Sequence, residues 1–305
     1  MFKKIQYNVF FWVCSLLLAP AVALSSVVAT PTKALVITTI KPLAIIAQSA
    51  LGDRAQVEYL QSAVQSAHEV SLPVSALRKI DQADLVIWVG ESFEARIAKS
   101  IALLPQDKVL TLMQLPLQKP AINEPAGLED AGAADSHSHS SLDHDHQHLN
   151  YDPHVWLNPA NANLIAARIQ QHLGVPQKAI ISNQQIDELT DQLLAARDKY
   201  YLVHHDALGH FTRAFGLQPG LAIRSSSGSS QGAKSHYLLR QAAQTVGASC
   251  IFVEPQYADR DARVLARELS LPLIELDIQG IQQPLAGDAY ANFMFTLVSR
   301  FSSCF

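Results

Sequence analysis

Charge is scarce in this 305-residue chain: Asp, Glu, Lys and Arg together make 16%, and Lys plus Arg number 23 against 27 for Asp plus Glu. A general nucleic-acid binder needs a basic face to displace counterions from phosphate, and that excess is missing here. Hydrophobic residues at 49% and aromatics at 7% are ordinary globular values, which excludes a disordered chain, a collagen-like chain or a polytopic membrane protein. Cysteine is rare, with three in all. The usual catalytic signatures are absent too. There is no HExxH pair for a zinc protease, and Ser225–Gly232 (SSSGSSQG) has neither the GxSxG nor the Walker spacing, so it reads as a turn before a helix.

What is present begins with an export signal. Lys3 and Lys4 precede the uncharged run Val9–Leu18, followed by Ala19-Pro20 and the small residues Ala21-Val22-Ala23, the order of a secretory leader. Pro20 interrupts the apolar run short of the about 20 residues that a membrane span requires. Residues 1–28 are therefore expected to be a signal peptide, cleaved between Ala23 and Ala29, which leaves 21 basic residues against 27 acidic ones. Cys14 lies inside the leader between apolar runs, which does not suit lipid attachment. Cys250 and Cys304 remain, and an even pair in an exported chain reads as one disulfide, with two unpaired buried thiols as the alternative. Closing a loop of about 54 residues would stabilise the fold by about 4 kcal/mol.

Hydrophobic periodicity alternates strand and helix twice. Ala34–Ile40, Gln56–Leu60, Asp84–Val89 and Val109–Met113 read as strands separated by helices over Pro42–Leu51, Leu72–Gln82 and Ser92–Leu104. Tyr200–His205, Leu221–Arg224, Cys250–Glu254 and Pro272–Asp277 read as a second set, with helices over Ala207–Phe215, Ala233–Val246, Asp259–Leu269 and Asp288–Ser302. Near-continuous apolar strands between helices imply parallel sheets covered on both faces. The expected fold is α/β: two lobes, each a parallel sheet flanked by helices, joined by helices at Asn161–Leu173 and Gln177–Arg197, the latter about 31 Å long. The boundaries are an N-terminal lobe at 29–157, connecting helices at 158–198 and a C-terminal lobe at 199–305. Residues 117–151 hold few large apolar side chains and read as a surface loop.

Ligands of open α/β sheets bind outside the carboxyl ends of strands. His68 falls in a loop after the second strand, His154 in the turn entering the connecting helix, His205 at the end of the first strand of the second lobe, and Asp277 at the end of the last strand. Three imidazoles and a carboxylate make a tetrahedral set suited to Zn2+, whereas a harder, oxygen-rich set would suit manganese. Successive strand residues point to opposite faces, so only one of His204 and His205 is expected to aim at the cleft. Asp152 and Asp206 are candidates to orient the imidazoles. Affinity should fall below about pH 6 as the imidazoles protonate. The loop adds His137, His139, His144, His146 and His148 among Asp135, Asp143 and Asp145, a flexible set offering several weak sites.

HEVSLPVSALRKIDQADLVIWVG (His68–Gly90), DPHVWLNP (Asp152–Pro159), HDALGHFTRAFGL (His205–Leu217) and CIFVEPQY (Cys250–Tyr257) resemble the periplasmic zinc-binding component of high-affinity zinc uptake ABC transporters, the ZnuA type, over nearly the whole mature chain. The resemblance implies that His68, His154 and His205 ligate zinc, that Asp277 faces the site, and that Cys250 pairs with Cys304. It also implies a monomeric, non-enzymatic periplasmic carrier that delivers its ion to a membrane permease driven by an ATPase. Some relatives have an acid immediately before the first histidine. Here Ala67 stands there and Glu69 follows, so the fourth ligand is left among Asp277, water and Glu69. The alternative functions are a manganese or other divalent-metal carrier, an adhesin of the same fold, or an exported zinc hydrolase.

Overall fold

A computed structural model of the chain describes residues 33–62, 64, 72–119, 152–224, 232–257 and 259–305. The leader, His68 with Glu69, the five loop histidines and Ser225–Gln231 lie outside the described residues.

Eight strands are present among the described residues, and all pair in parallel. In the first sheet β1 (Ala34–Thr38) lies between β2 (Ala55–Tyr59) and β3 (Leu85–Trp88), with β4 (Val109–Thr111) beyond β3. The second repeats that order: β5 (Leu202–His205) lies between β6 (Leu221–Arg224) and β7 (Ile251–Val253), with β8 (Leu273–Glu275) at the edge. The chain leaves the central strand first to one side and then to the other, so each sheet has a switch point, between β1 and β3 and between β5 and β7. Loops diverge there and leave a crevice. Every residue of β3 and β5 is buried, as expected of β-branched runs enclosed on both faces.

Helix α1 (Lys41–Leu51) follows β1 with Pro42 in its first turn and buries nine of its eleven residues, Lys41 included. Such an all-round apolar helix is stable only when enclosed. Helices α2 (Val74–Gln82) and α3 (Ala95–Ile101) complete the first half. Next, α4 (Pro159–His172) is started by Asn158, whose side chain accepts from Ala160 N and Asn161 N.

The single helix expected over Gln177–Arg197 does not form. The segment runs irregularly to Ser182, and α5 spans only Asn183–Gln192. Side chains of α4 capture the backbone first: Asn163 bonds Ile180 N and Ile181 O, and Gln170 bonds Lys178 N and O. A capping box between Ser182 and Gln185 then sets the helix start.

The second half adds α6 (Gly209–Phe215), α7 (Ala233–Val246), α8 (Arg260–Leu269) and α9 (Ala289–Ser302). Cys250, just before β7, is disulfide-bonded to Cys304, just after α9, with Cα atoms 6.0 Å apart. The bridge ties the last helix to the second sheet beside a cluster of Tyr201, Phe211, Phe252, Phe301 and Phe305. Buried residues of both sheets, from Val36 and Val86 to Tyr201 and Phe252, belong to one continuous core. A smaller cluster of Leu202, Ile223, Ala243, Ile251, Ala262, Leu265 and Ala266 forms around the second sheet. Residues 33–305 thus make one compact unit.

Candidate metal centre

The switch point of the second sheet carries the chemistry. Strand β5 ends in His204-His205, and because both faces of the sheet are covered, both imidazoles are buried. Glu254 is the first residue after β7, the neighbour of β5, and its Oε1 lies 2.6 Å from His205 Nδ1. Gln256 Nε2 donates to the other carboxylate oxygen at 2.6 Å. His154 arrives from the turn ahead of α4. There Asp152 Oδ1 accepts from His154 N at 2.9 Å and lies 2.7 Å from His154 Nδ1, so one carboxylate fixes both backbone and ring.

Each carboxylate faces the Nδ1 atom of its imidazole, an arrangement that favours the Nδ1-protonated tautomer and turns both Nε2 atoms away from the acids. These two Nε2 atoms face each other at 3.3 Å. Ligands on a tetrahedral zinc at about 2.0–2.1 Å stand about 3.3 Å apart, so the spacing matches one edge of a zinc tetrahedron. A carboxylate behind each imidazole fixes the metal-binding tautomer and raises nitrogen basicity.

His154, Trp156, His205, Glu254, Tyr257, Ile278 and Gln279 line a cavity of about 10 Å³, on the scale of one water-sized body. Aromatic edges wall it: Trp156 lies 5.2 Å and Phe93 6.3 Å from the His154 ring, centroid to centroid. Burial pushes His205 down, but the adjoining Glu254 carboxylate, aided by Asp152 and Asp206, outweighs it, and the net pKa is raised. Burial pushes Asp152 up, but His154 and its hydrogen bonds outweigh that and hold it below the usual value. Asp206 is raised by burial and by the Asp152 charge.

The sequence-derived residues fall into three groups. His154 and His205 come together as expected. Asp277 accepts from Gln279 N at 3.0 Å and Ile281 N at 2.6 Å, so its carboxylate organises its own loop, and Ile278 and Gln279 form the cavity wall on that side. His68 lies outside the described residues, as do the loop histidines. Asp152 holds its imidazole as expected, whereas the acid on His205 is Glu254 and not Asp206. Sequence reasoning passed over Glu254 although it ends the strand run CIFVE, and the strand-end rule that picked His205 applies to it equally. His204 is buried beside His205 yet engaged elsewhere: its Nδ1 lies 2.5 Å from Asp259 Oδ2, and its ring stacks on Tyr257 at 4.1 Å. Ligand atoms of His204, His205 and Glu254 lie within 4.8 Å of one another, a trio of metal-ligand types around the end of β5.

Two parallel sheets of one repeated strand order, with paired imidazoles at a switch point, define a solute-binding protein of the metal-binding type. A laminin-binding protein of Streptococcus agalactiae, titled as a bifunctional protein with adhesin and metal transporting activity, has this fold with a TM-score of 0.68 and 19% identity, over 88% of this chain and 98% of its own. The family model "Zinc-uptake complex component A periplasmic" matches residues 36–304. The high-affinity zinc uptake system protein ZnuA of Haemophilus ducreyi is 32% identical over 91% of this chain and 95% of its own length, and that of Yersinia pestis 29% identical over 96% and 98%. The chain belongs to the ZnuA family of periplasmic zinc-uptake components.

Proposed function

We propose that this protein captures one Zn2+ ion with His154 and His205, joined by His68, and delivers it to a membrane permease whose ATPase drives import. The observation that carries this reading is the pair of Nε2 atoms 3.3 Å apart, each imidazole backed by a carboxylate. Nitrogen donors favour zinc over manganese. Asp277 is the proposed fourth ligand, with water or Glu69 as the other occupants of that position. An ion-sized cavity suits a carrier. The N-terminal 28 residues direct export to the periplasm and are removed.

His137, His139, His144, His146 and His148 form a collecting loop of weak sites. Deleting 135–148 is expected to leave one tight site and remove the weaker stoichiometry in a zinc titration. The central test is calorimetry with a competing chelator. The wild type should bind one zinc tightly at neutral pH, and the double variant His154→Ala, His205→Ala should lose at least about a thousandfold in affinity. Unchanged tight binding in that variant would remove the assignment.

A further inference from the structure

Loop 277–282, which follows β8, supplies Ile278 and Gln279 to the cavity wall, and the first half of the molecule holds it at three points. Lys41, the first residue of α1 and only 7% exposed, donates from Nζ to Ile281 O. Trp156 Nε1 donates to Ile278 O at 2.9 Å. Gly280, at φ +63°, packs so closely on α1 that a Cβ there would sit 2.5 Å from Ile45 Cδ1. Within the loop the Asp277 carboxylate gathers the amides of Gln279 and Ile281. Burial lowers the Lys41 pKa, and the Asp277 charge opposes that lowering.

We propose that Lys41 is a positioning residue for zinc: by holding Ile281 O next to the Asp277-ordered turn, a side chain at the start of α1 fixes the loop that closes the second-sheet wall of the metal cavity. The inference rests on the zinc-carrier reading and extends it from ligands to the release step. An ammonium hydrogen bond is charge-assisted, and its loss leaves Ile281 O without the donor that ties the loop to the start of α1. The loop then departs from the cavity more readily, and the ion leaves faster.

The test is stopped-flow release of zinc from the full-length mature protein into excess chelator, for wild type, Lys41→Met and Lys41→Arg, with unfolding midpoints of the metal-free forms measured alongside. Lys41→Met is expected to bind one zinc still, to release it about tenfold faster, and to be rescued to within about threefold by Lys41→Arg. Release from Lys41→Met at the wild-type rate would overturn the proposal. So would equal acceleration in the Met and Arg variants, which would mark mere loss of packing. Should Lys41→Met not fold, Lys41→Gln takes its place under the same criterion. A failure here leaves the stoichiometry of one zinc intact, whereas failure of the carrier reading shows as unchanged binding in the His154, His205 double variant.

Discussion

The two sheets share one strand order and differ in what stands at their switch points. Where β5 and β7 part, the second sheet presents His205 and Glu254, joined by His154 from the turn before α4. Where β1 and β3 part, the first sheet presents Thr39, followed by Lys41, and Gly90, whose N–H is taken by the buried carboxyl of Glu94 at 3.0 Å. Burial, opposed by hydrogen bonds, raises Glu94 to about 7. Both crevices hold a buried acid, and among the described residues the second pairs it with an imidazole whose far nitrogen faces another imidazole. One strand order thus carries different side-chain chemistry at its two switch points.

Four measurements break or sharpen that contrast. The largest expected effect concerns the covalent tie found on the second sheet: replacing Cys250 and Cys304 by Ser should lower unfolding free energy by about 4 kcal/mol in chemical denaturation, the entropy of a closed loop of 54 residues. A loss below about 1 kcal/mol would show that α9 docks without its staple. Next comes the first sheet's acid. The folded pKa of Glu94 lies above its unfolded value, so its stabilising contribution is complete below about pH 4.5 and is lost as pH rises through about 7, roughly 3 kcal/mol in all. Glu94→Gln should flatten that slope and raise the melting temperature at pH 8, while zinc affinity stays within about twofold. An equal fall in zinc affinity would make the first sheet part of the site and end the contrast.

Third, Glu254→Gln should weaken zinc binding by about 10- to 100-fold in chelator competition, because the anionic acceptor that fixes the His205 tautomer and raises its basicity becomes a neutral amide. The smallest effect is the pH profile. Because His205 is raised, protons begin to compete with zinc above pH 6.5, higher than an unperturbed imidazole would imply, and affinity falls as pH drops through that range. Glu254→Gln should move the bend toward acid. A bend at the same pH in both proteins would mean that Glu254 does not set the titration.

Much of the fold was legible in the sequence because its strands are short β-branched runs. VIT and LVIW are apolar runs bounded by turn signals, the pattern of an enclosed strand, and all eight expected strands are present. The connecting helix was not legible. Gln177–Arg197 has helical periodicity, but the outcome was decided by Asn163 and Gln170, side chains on another element that bond the 178–181 backbone. In the site, His154 and His205 followed from strand ends and from the Asp-Pro-His turn. Glu254 required knowing that β7 lies beside β5, and Lys41 carries no local mark of burial at all.

The sequence by itself determined the elements, the pairing parity of two cysteines in an exported chain and the presence of imidazoles at loop positions, since each depends on residue type and local spacing. Tertiary structure alone decided that Glu254 serves His205, that two Nε2 atoms meet at 3.3 Å, and that a lysine at the start of α1 grips the loop after β8. Those outcomes depend on which strands become neighbours. Neighbours in a parallel sheet are set by crossovers of many residues, and no window along the chain contains them.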